Sequence, residues 1–188
     1  NQDEFLPIWY KLLKQYRETD RSKDVGKCLL TIANHFVMLE DYDNALPLYK
    51  EAYQLALKHE LVDLEKASGI MLIKHLCGAG YYSESLEYYN KIRVNQEIAF
   101  NSSVQNEVIK SYIELNKSDS ARLYLAERLL LEGGDKIFLN CMMAETYIPE
   151  EQEDSAFIFL DRAMESYKEK KKYYQGKDRE VVLPTYFL

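Results

Sequence analysis

Histidine, carboxylate and cysteine side chains are the groups of this sequence that could build a metal centre or an active site. His35 and His75 occupy equivalent places in two similar segments, and such a pair could bind a metal ion or respond to pH. Neither histidine has an Asp, Glu or Cys at ligand spacing on the same helical turn. We therefore predict that both histidines are structural or exposed.

A run of carboxylates has the residue types of general acid/base catalysis. It comprises Glu150, Glu151, Glu153 and Asp154. We expect a helix to begin at this point, and negative charge stabilises the N-terminus of a helix. We therefore interpret the run as structural.

The cysteine and glycine patterns of common catalytic and metal sites do not occur in the sequence. Cys28, Cys77 and Cys141 are odd in number, far apart and embedded in apolar stretches, which is typical of small packing residues. No serine stands in a nucleophile elbow, and no glycine-rich loop ends in lysine followed by serine or threonine. We predict a protein that is not an enzyme and holds neither a cofactor nor a metal.

The composition indicates a folded, helical and acidic chain. Of its 188 residues, 47% are apolar and 29% are charged, with only seven Gly and four Pro, and these values favour helices over disorder or a turn-rich β domain. The net charge of −7 leaves no basic face for a phosphate backbone, so we expect no direct nucleic-acid partner. No apolar run approaches the ~18 residues that span a bilayer. We expect a soluble fragment, and its compartment is open between the cytoplasm and an extracytoplasmic space reached after removal of a signal segment.

One spacing of small and large residues recurs along the chain. In residues 33–52 it is carried by Ala33, Phe36, Ala45, Tyr49 and Ala52. The same intervals fall on Ala144, Tyr147, Ala156, Leu160 and Ala163, and looser copies fall on Ile73, Leu76, Ser85, Tyr89 and Ile92 and on Ile109, Tyr112, Ala121, Leu125 and Arg128. Successive copies are 40, 36 and 35 residues apart. A period of this length indicates stacked supersecondary units.

Each copy predicts two amphipathic helices joined by a turn, because residues three and four positions apart share one face of a helix. The predicted helix pairs are 26–60, 63–95, 102–132 and 137–175, with a lone helix over 1–20 and the start of a truncated further repeat over 179–188. Asp41 or Asp43 is expected to cap the second helix of the first pair, and Ser118 that of the third. We predict a single all-α domain over residues 1–188 that belongs to a longer array or protein.

A small residue in each helix, followed three or four positions later by an aromatic residue or leucine, resembles the tetratricopeptide repeat (TPR). The resemblance covers about residues 26–175 and implies an α-α superhelix, or solenoid, of antiparallel helix pairs. The Trp and Gly of that family's first helix and its closing Pro are missing, and the lengthened second helices resemble those of TPR modules in bacterial regulators and peptide sensors. Another α-solenoid with a period near 40 residues is the structural alternative.

In the TPR family the first helix of each pair lines a concave groove, and the resemblance implies which side chains face it here. One position past the small residue lie Asn34, Lys74, Lys110 and Glu145, and one turn earlier lie Thr31, Met71, Glu107 and Met142. Only Asn34 matches the carboxylate clamp that some members use, so we reject a clamp. A different peptide could bind through Asn34, Lys74 and Lys110 while methionines adapt to its apolar side chains. The alternative is that these are ordinary solvated residues.

The resemblance implies a non-catalytic module with a protein or peptide partner. We expect it to be the sensing or docking part of a larger bacterial regulatory or envelope-associated protein. Two alternatives stay open: an architectural array that associates with copies of itself as a homo-oligomer, and an accessory domain of an enzyme or transcription regulator whose active part lies outside this sequence.

Overall fold

Every regular element in the described part of the computed structural model is a helix. The structure describes residues 2–93, 101–130 and 135–175, with side chains from 5 to 172 apart from residue 102. Within these ranges the α-helices are α1 (Gln2–Glu18), α2 (Ser22–Met38), α3 (Tyr42–Lys58), α4 (Val62–Gly78), α5 (Tyr82–Ile92), α6 (Ser102–Glu114), α7 (Ser118–Leu129), α8 (Lys136–Glu145) and α9 (Glu153–Gln175), and a 3-10 helix covers Ile148–Glu150. The predicted all-α class is confirmed.

The helices follow the predicted order of one lone helix and then helix pairs. Helix α1 falls on the lone helix, and α2–α3, α4–α5, α6–α7 and α8–α9 fall on the predicted pairs. The first pair begins at Ser22, four positions before its predicted start, and the repeat predicted to start over 179–188 lies outside the described residues. Contacts divide the chain into unit 1 (Asn1–Ser111) and unit 2 (Tyr112–Leu188), and the single domain over 1–188 stays a prediction.

Three-residue turns connect the consecutive helices α1 to α5 of unit 1, and the middle residue of each turn is left-handed. Asp20, Glu40, Glu60 and Gly80 have φ angles of 53°, 58°, 53° and 82°. After each of them, the next residue donates its N–H to the carbonyl five positions back, at 3.0, 2.9, 2.9 and 2.8 Å. These bonds satisfy carbonyls that the end of a helix leaves open. The left-handed residues recur every 20 positions, so two helices with their turns make the 40-residue period.

The two predictions of helix caps have different outcomes. Asp41 caps α3 as predicted, because its carboxylate accepts the backbone N–H of Asn44 at 3.1 Å. The prediction for Ser118 was wrong: α7 begins at Ser118 itself, and the residue before it, Lys117, makes no side-chain cap. Backbone bonds of the preceding turn position this helix start instead, with Lys117 N–H donating to Tyr112 O at 2.8 Å.

The small residues of the recurring spacing lie where the helices of unit 1 pack together. Ala33, Ala45 and Ala52 have no exposed surface, and neither does Tyr49. Ala33, Ala45 and Tyr49 share one cluster with Leu72 of α4. Alanine lets two helix backbones approach closely, and the large side chains fill the groove beside it. The packing role predicted for these alanines is confirmed.

In unit 2, α9 packs on α8 around a cluster that includes Ile137 and Ala163. Arg122 of α7 contacts the turn that follows α8. Its guanidinium carbon lies 4.4 Å from the centroid of the Tyr147 ring, and the same group forms an ion pair with Glu150. This contact joins α7 to the 3-10 helix and stabilises the segment of chain between α8 and α9.

Candidate functional site

Six of the predicted groove residues lie on the first helices of unit 1, two on each helix. We call this set the first-helix face: Thr31 and Asn34 on α2, Met71 and Lys74 on α4, and Glu107 and Lys110 on α6. The two residues of each helix are three positions apart, so they share one side of that helix. The later residue of each pair is exposed, and the earlier one is half-buried.

Close contacts make α2, α4 and α6 neighbours within unit 1. A Cβ built on Gly26 of α2 would lie 2.1 Å from Leu64 Cδ2 of α4, so α2 approaches α4 as closely as a glycine allows. The thiol of Cys77 on α4 donates to the carbonyl oxygen of Glu107 on α6 at 3.6 Å. Met71 packs against the buried cluster that contains Ala33. The first-helix face therefore extends across three adjacent helices.

Asn34 is held by a buried tyrosine from the second helix of its own pair. The hydroxyl of Tyr49 on α3 donates to Asn34 Oδ1 at 2.5 Å. The Tyr49 ring stacks on the His75 ring of α4, with centroids 5.1 Å apart and an angle of 14° between the planes. One tyrosine thus links α2, α3 and α4 directly beneath the first-helix face.

Lys74 and Lys110 are exposed cations on this face. In the described part of the chain, neither forms an ion pair with another residue. Lys50, on the second helix α3, instead binds Glu84 of α5 at 2.6 Å. The charge of the two first-helix lysines is therefore available to a partner, whereas that of Lys50 is already paired.

Both histidines of the repeat are packing residues, as predicted. His75 is only 8% exposed, and burial, with a smaller effect from Lys74, lowers its pKa to about 4. The half-buried His35 ring stacks on Phe5 with centroids 4.6 Å apart. Within the described ranges no group of three or more His, Cys, Asp or Glu side chains could hold a metal ion.

The cysteines and the acidic run also have structural surroundings. Burial raises the pKa of all three thiols, that of Cys77 to about 12, and a thiol that stays protonated is a poor nucleophile. Glu150 pairs with Arg122, and Glu153 and Asp154 lie in the first turn of α9. The interpretation of the run as a structural feature of a helix start is confirmed for Glu153 and Asp154, whereas Glu150 is the last residue of the 3-10 helix.

The two remaining predicted groove residues lie in unit 2, on α8. Met142 is 7% exposed, so its side chain is largely occupied by packing. Glu145 is half-buried, and burial raises the pKa of its carboxyl group. Elsewhere in the described ranges, no helix combines the length and apolarity that crossing a membrane requires.

The hydrogen bond from the Tyr49 hydroxyl to Asn34 was not predicted from the sequence. Tyr49 was predicted to fill the groove between helices, and its complete burial confirms this. The bond joins residues 15 positions apart on different helices, and helical periodicity within one helix does not report such a contact. The available signal was the residue type. The last two copies of the spacing have Leu125 and Leu160 at this position, so filling the groove does not by itself require the hydroxyl group of Tyr49.

The class of fold defined by these helix pairs is a TPR-like helical repeat, and solved structures with the same fold are known. Two crystal structures of a protein named MamA superpose on this chain with TM-scores of 0.62 and 0.63, each at 13% sequence identity. They cover 86% and 95% of this chain and 88% and 97% of their own. A structure described as MamA MSR-1 C2 has a TM-score of 0.60 at 12% identity, covering 86% of this chain and 96% of that one. At these identities the likeness shows the fold alone. No family model and no curated protein matches the chain.

Proposed function

We propose that this protein is a non-catalytic recognition module that binds a protein segment across the first-helix face. The observation that carries the proposal is the arrangement of Asn34, Lys74 and Lys110. They are exposed at equivalent positions of three adjacent helices, and the two lysines have no ion-pair partner in the described structure. The likeness to TPR-like structures supports a protein-interaction scaffold.

A protein segment suits this face better than a small molecule does. The polar groups are distributed over three helices, and a chain that crosses the helices could meet them in turn. Half-buried Met71 offers an adaptable apolar contact between them, since methionine adjusts to varied side chains. Recognition along a segment therefore uses the whole face.

The wider setting follows from the sequence resemblance. The resemblance to TPR modules of bacterial regulators supports a place in a larger bacterial regulatory or envelope-associated protein, with this chain as its sensing or docking part. Among the second helices, α3 and α9 have 17 and 23 residues, whereas α5 and α7 have 11 and 12. Met142 and Glu145 belong to the same proposal as the groove positions of the fourth pair, although the burial of Met142 leaves Glu145 as the more accessible of the two.

Self-association is a second candidate function, and exposed apolar residues of α9 favour it. Phe157 and Ile158 are 62% and 52% exposed. Large apolar side chains exposed in this way often mark contacts between proteins. Light scattering across a range of concentrations, on wild type and Phe157→Glu, tests this candidate. A dimer that the substitution dissociates supports it, and a monomer at every concentration opposes it.

The main proposal is tested by selecting dodecapeptides from a random display library against the whole chain. Peptides selected on the wild type should lose about tenfold or more in affinity for the Lys74→Glu, Lys110→Glu variant, because two charges are reversed. The matched control is Lys11→Glu, Lys58→Glu, which makes the same charge change at exposed lysines of α1 and α3. Equal losses in both variants, or a library that yields no binder, would refute recognition by this face.

A further inference from the structure

The first-helix face has an internal contact that determines the orientation of Asn34. Tyr49 has no exposed surface, and its hydroxyl donates to Asn34 Oδ1 at 2.5 Å. A side-chain amide has an oxygen that accepts and an amino group that donates two hydrogen bonds. Because the Asn34 oxygen accepts the hydrogen bond from Tyr49, the amino group is the part of the amide that remains available to a ligand.

The reverse orientation of this amide is disfavoured. It would bring the Asn34 amino group to the Tyr49 hydroxyl and remove the acceptor of a buried O–H group. Among the described residues, Asn34 is the acceptor that the structure gives to this hydroxyl, and a buried donor without an acceptor is strongly destabilising. Burial also raises the pKa of Tyr49, so its hydroxyl stays protonated and remains a donor.

The Tyr49 ring is itself fixed in position, and its hydroxyl therefore holds the Asn34 amide in place. Its stacking on His75 brings the ring centroids within 5.1 Å, and Tyr49 belongs to the buried cluster with Ala33, Ala45 and Leu72. Asn34 therefore contacts a group whose position is determined by three helices. The orientation of Asn34 is set before any ligand arrives.

The exposed residues of the first-helix face consequently present donors. Lys74 and Lys110 carry ammonium groups, which donate and cannot accept, and Asn34 presents its amino group. Glu107 is the acidic member of the set, and it is half-buried one turn before Lys110. A face with donors outermost selects hydrogen-bond acceptors, and two of its three donors are charged, which favours carboxylates over neutral carbonyls.

We propose that Tyr49 is a positioning residue that orients the Asn34 amino group outward, and that the resulting set of donors makes an acidic protein segment the ligand of this face. The inference rests on the proposed function and adds the chemical class of the ligand. Adjacent packed helices lie about 8–10 Å apart, and every third side chain of a polyproline II segment lies on one side of that segment, about 9 Å from the next. Acidic residues at every third position therefore match the spacing of Asn34, Lys74 and Lys110.

The probe is a fluorescent dodecapeptide with blocked ends and glutamate at every third position, compared with the same peptide carrying glutamine. Asn34→Asp keeps an acceptor for Tyr49 but replaces the amino group by a carboxylate oxygen, so affinity for the glutamate peptide should fall about tenfold or more. Tyr49→Phe should weaken binding by about threefold to tenfold, because the amide is no longer oriented. Tyr53→Phe, one turn later on α3 and also buried, is the matched control and should bind like the wild type.

A double-mutant cycle separates positioning from a general loss of structure. If Tyr49 acts through Asn34, Tyr49→Phe has no further effect on affinity in an Asn34→Ala background. An equal loss in both backgrounds, or unchanged binding by Tyr49→Phe alone, overturns the positioning role. Equal affinity for the glutamate and glutamine peptides overturns the acidic ligand. In either case, the proposed function still holds if peptides selected from the library depend on Lys74 and Lys110. If the library yields no binder, the proposed function and the further inference are both overturned.

Discussion

The buried histidine of α4 should make the stability of unit 1 depend on pH. His75 is 8% exposed and stacks on Tyr49, with Tyr42 at 6.3 Å between ring centroids. Burial and the neighbouring Lys74 lower its pKa from 6.5 to about 4. Between these two values the unfolded chain holds a proton on His75 and the folded chain does not. The unfolded state therefore binds more protons, and stability falls as the pH decreases.

The size of this effect follows from the difference between the two pKa values. The full difference corresponds to about 3 kcal/mol of unfolding free energy, which is completely lost only below pH 4, and about 2 kcal/mol is already lost at pH 5. His75→Phe keeps an aromatic ring against Tyr49 and removes the titrating group. Every carboxylate is present in both proteins, so its contribution cancels when the two pH dependences are compared.

Urea unfolding followed by the fluorescence of Trp9 measures the effect. Trp9 is the single tryptophan of the sequence and packs against the core of unit 1. From pH 7 to pH 5, the wild type should lose about 2 kcal/mol more of its unfolding free energy than His75→Phe. If the two proteins lose the same amount, the folded environment of His75 does not exclude its charged form and the reasoning is refuted.

Three further substitutions test the turns and the helix packing through their urea midpoints. Gly80→Ala should destabilise the protein by about 1 kcal/mol, because alanine is strained at the φ of +82° that Gly80 adopts. No atom lies within 4 Å of the added Cβ, so new packing does not offset this strain. Gly78→Ala, in the preceding helix, is the control, and equal urea midpoints for the two variants would contradict the prediction. Glu60→Gly should stabilise by about 0.5–1 kcal/mol by relieving a left-handed glutamate with φ of 53°, and a lower midpoint would show that the turn gains nothing. Ala33→Leu should destabilise the protein by about 1–3 kcal/mol through overpacking, since Ala33 has no exposed surface. The control, Ala126→Leu at an exposed position, should change the urea midpoint little. Similar losses of stability in the two variants would count against tight packing around Ala33.

Much of the fold could be predicted because the burial pattern of a helix pair is local. Ala33 and Ala45 lie on opposite sides of one turn, and their spacing to Phe36 and Tyr49 places each pair on one face of a helix. Both alanines are fully buried. The turn conformation could not be predicted in the same way, because glutamate has no preference for the left-handed region that Glu40 occupies. Helix-end hydrogen bonds and packing of the two helices impose it.

The candidate site could be predicted in position but not in orientation. The resemblance to the TPR groove indicated Asn34, Lys74 and Lys110, and all three side chains are exposed on neighbouring helices. The hydrogen bond from Tyr49 to Asn34 and the stack on His75 depend on how α2, α3 and α4 pack. No spacing along a single helix contains that information.

The most direct test of segment recognition is to map the binding surface by nuclear magnetic resonance with a selected peptide. Peptide addition should shift the backbone amide signals around Asn34, Lys74 and Lys110 and leave those around Lys11 and Lys58 unchanged. Shifts centred on α1 and α3, with the signals of α2, α4 and α6 unaffected, would contradict recognition by the first-helix face.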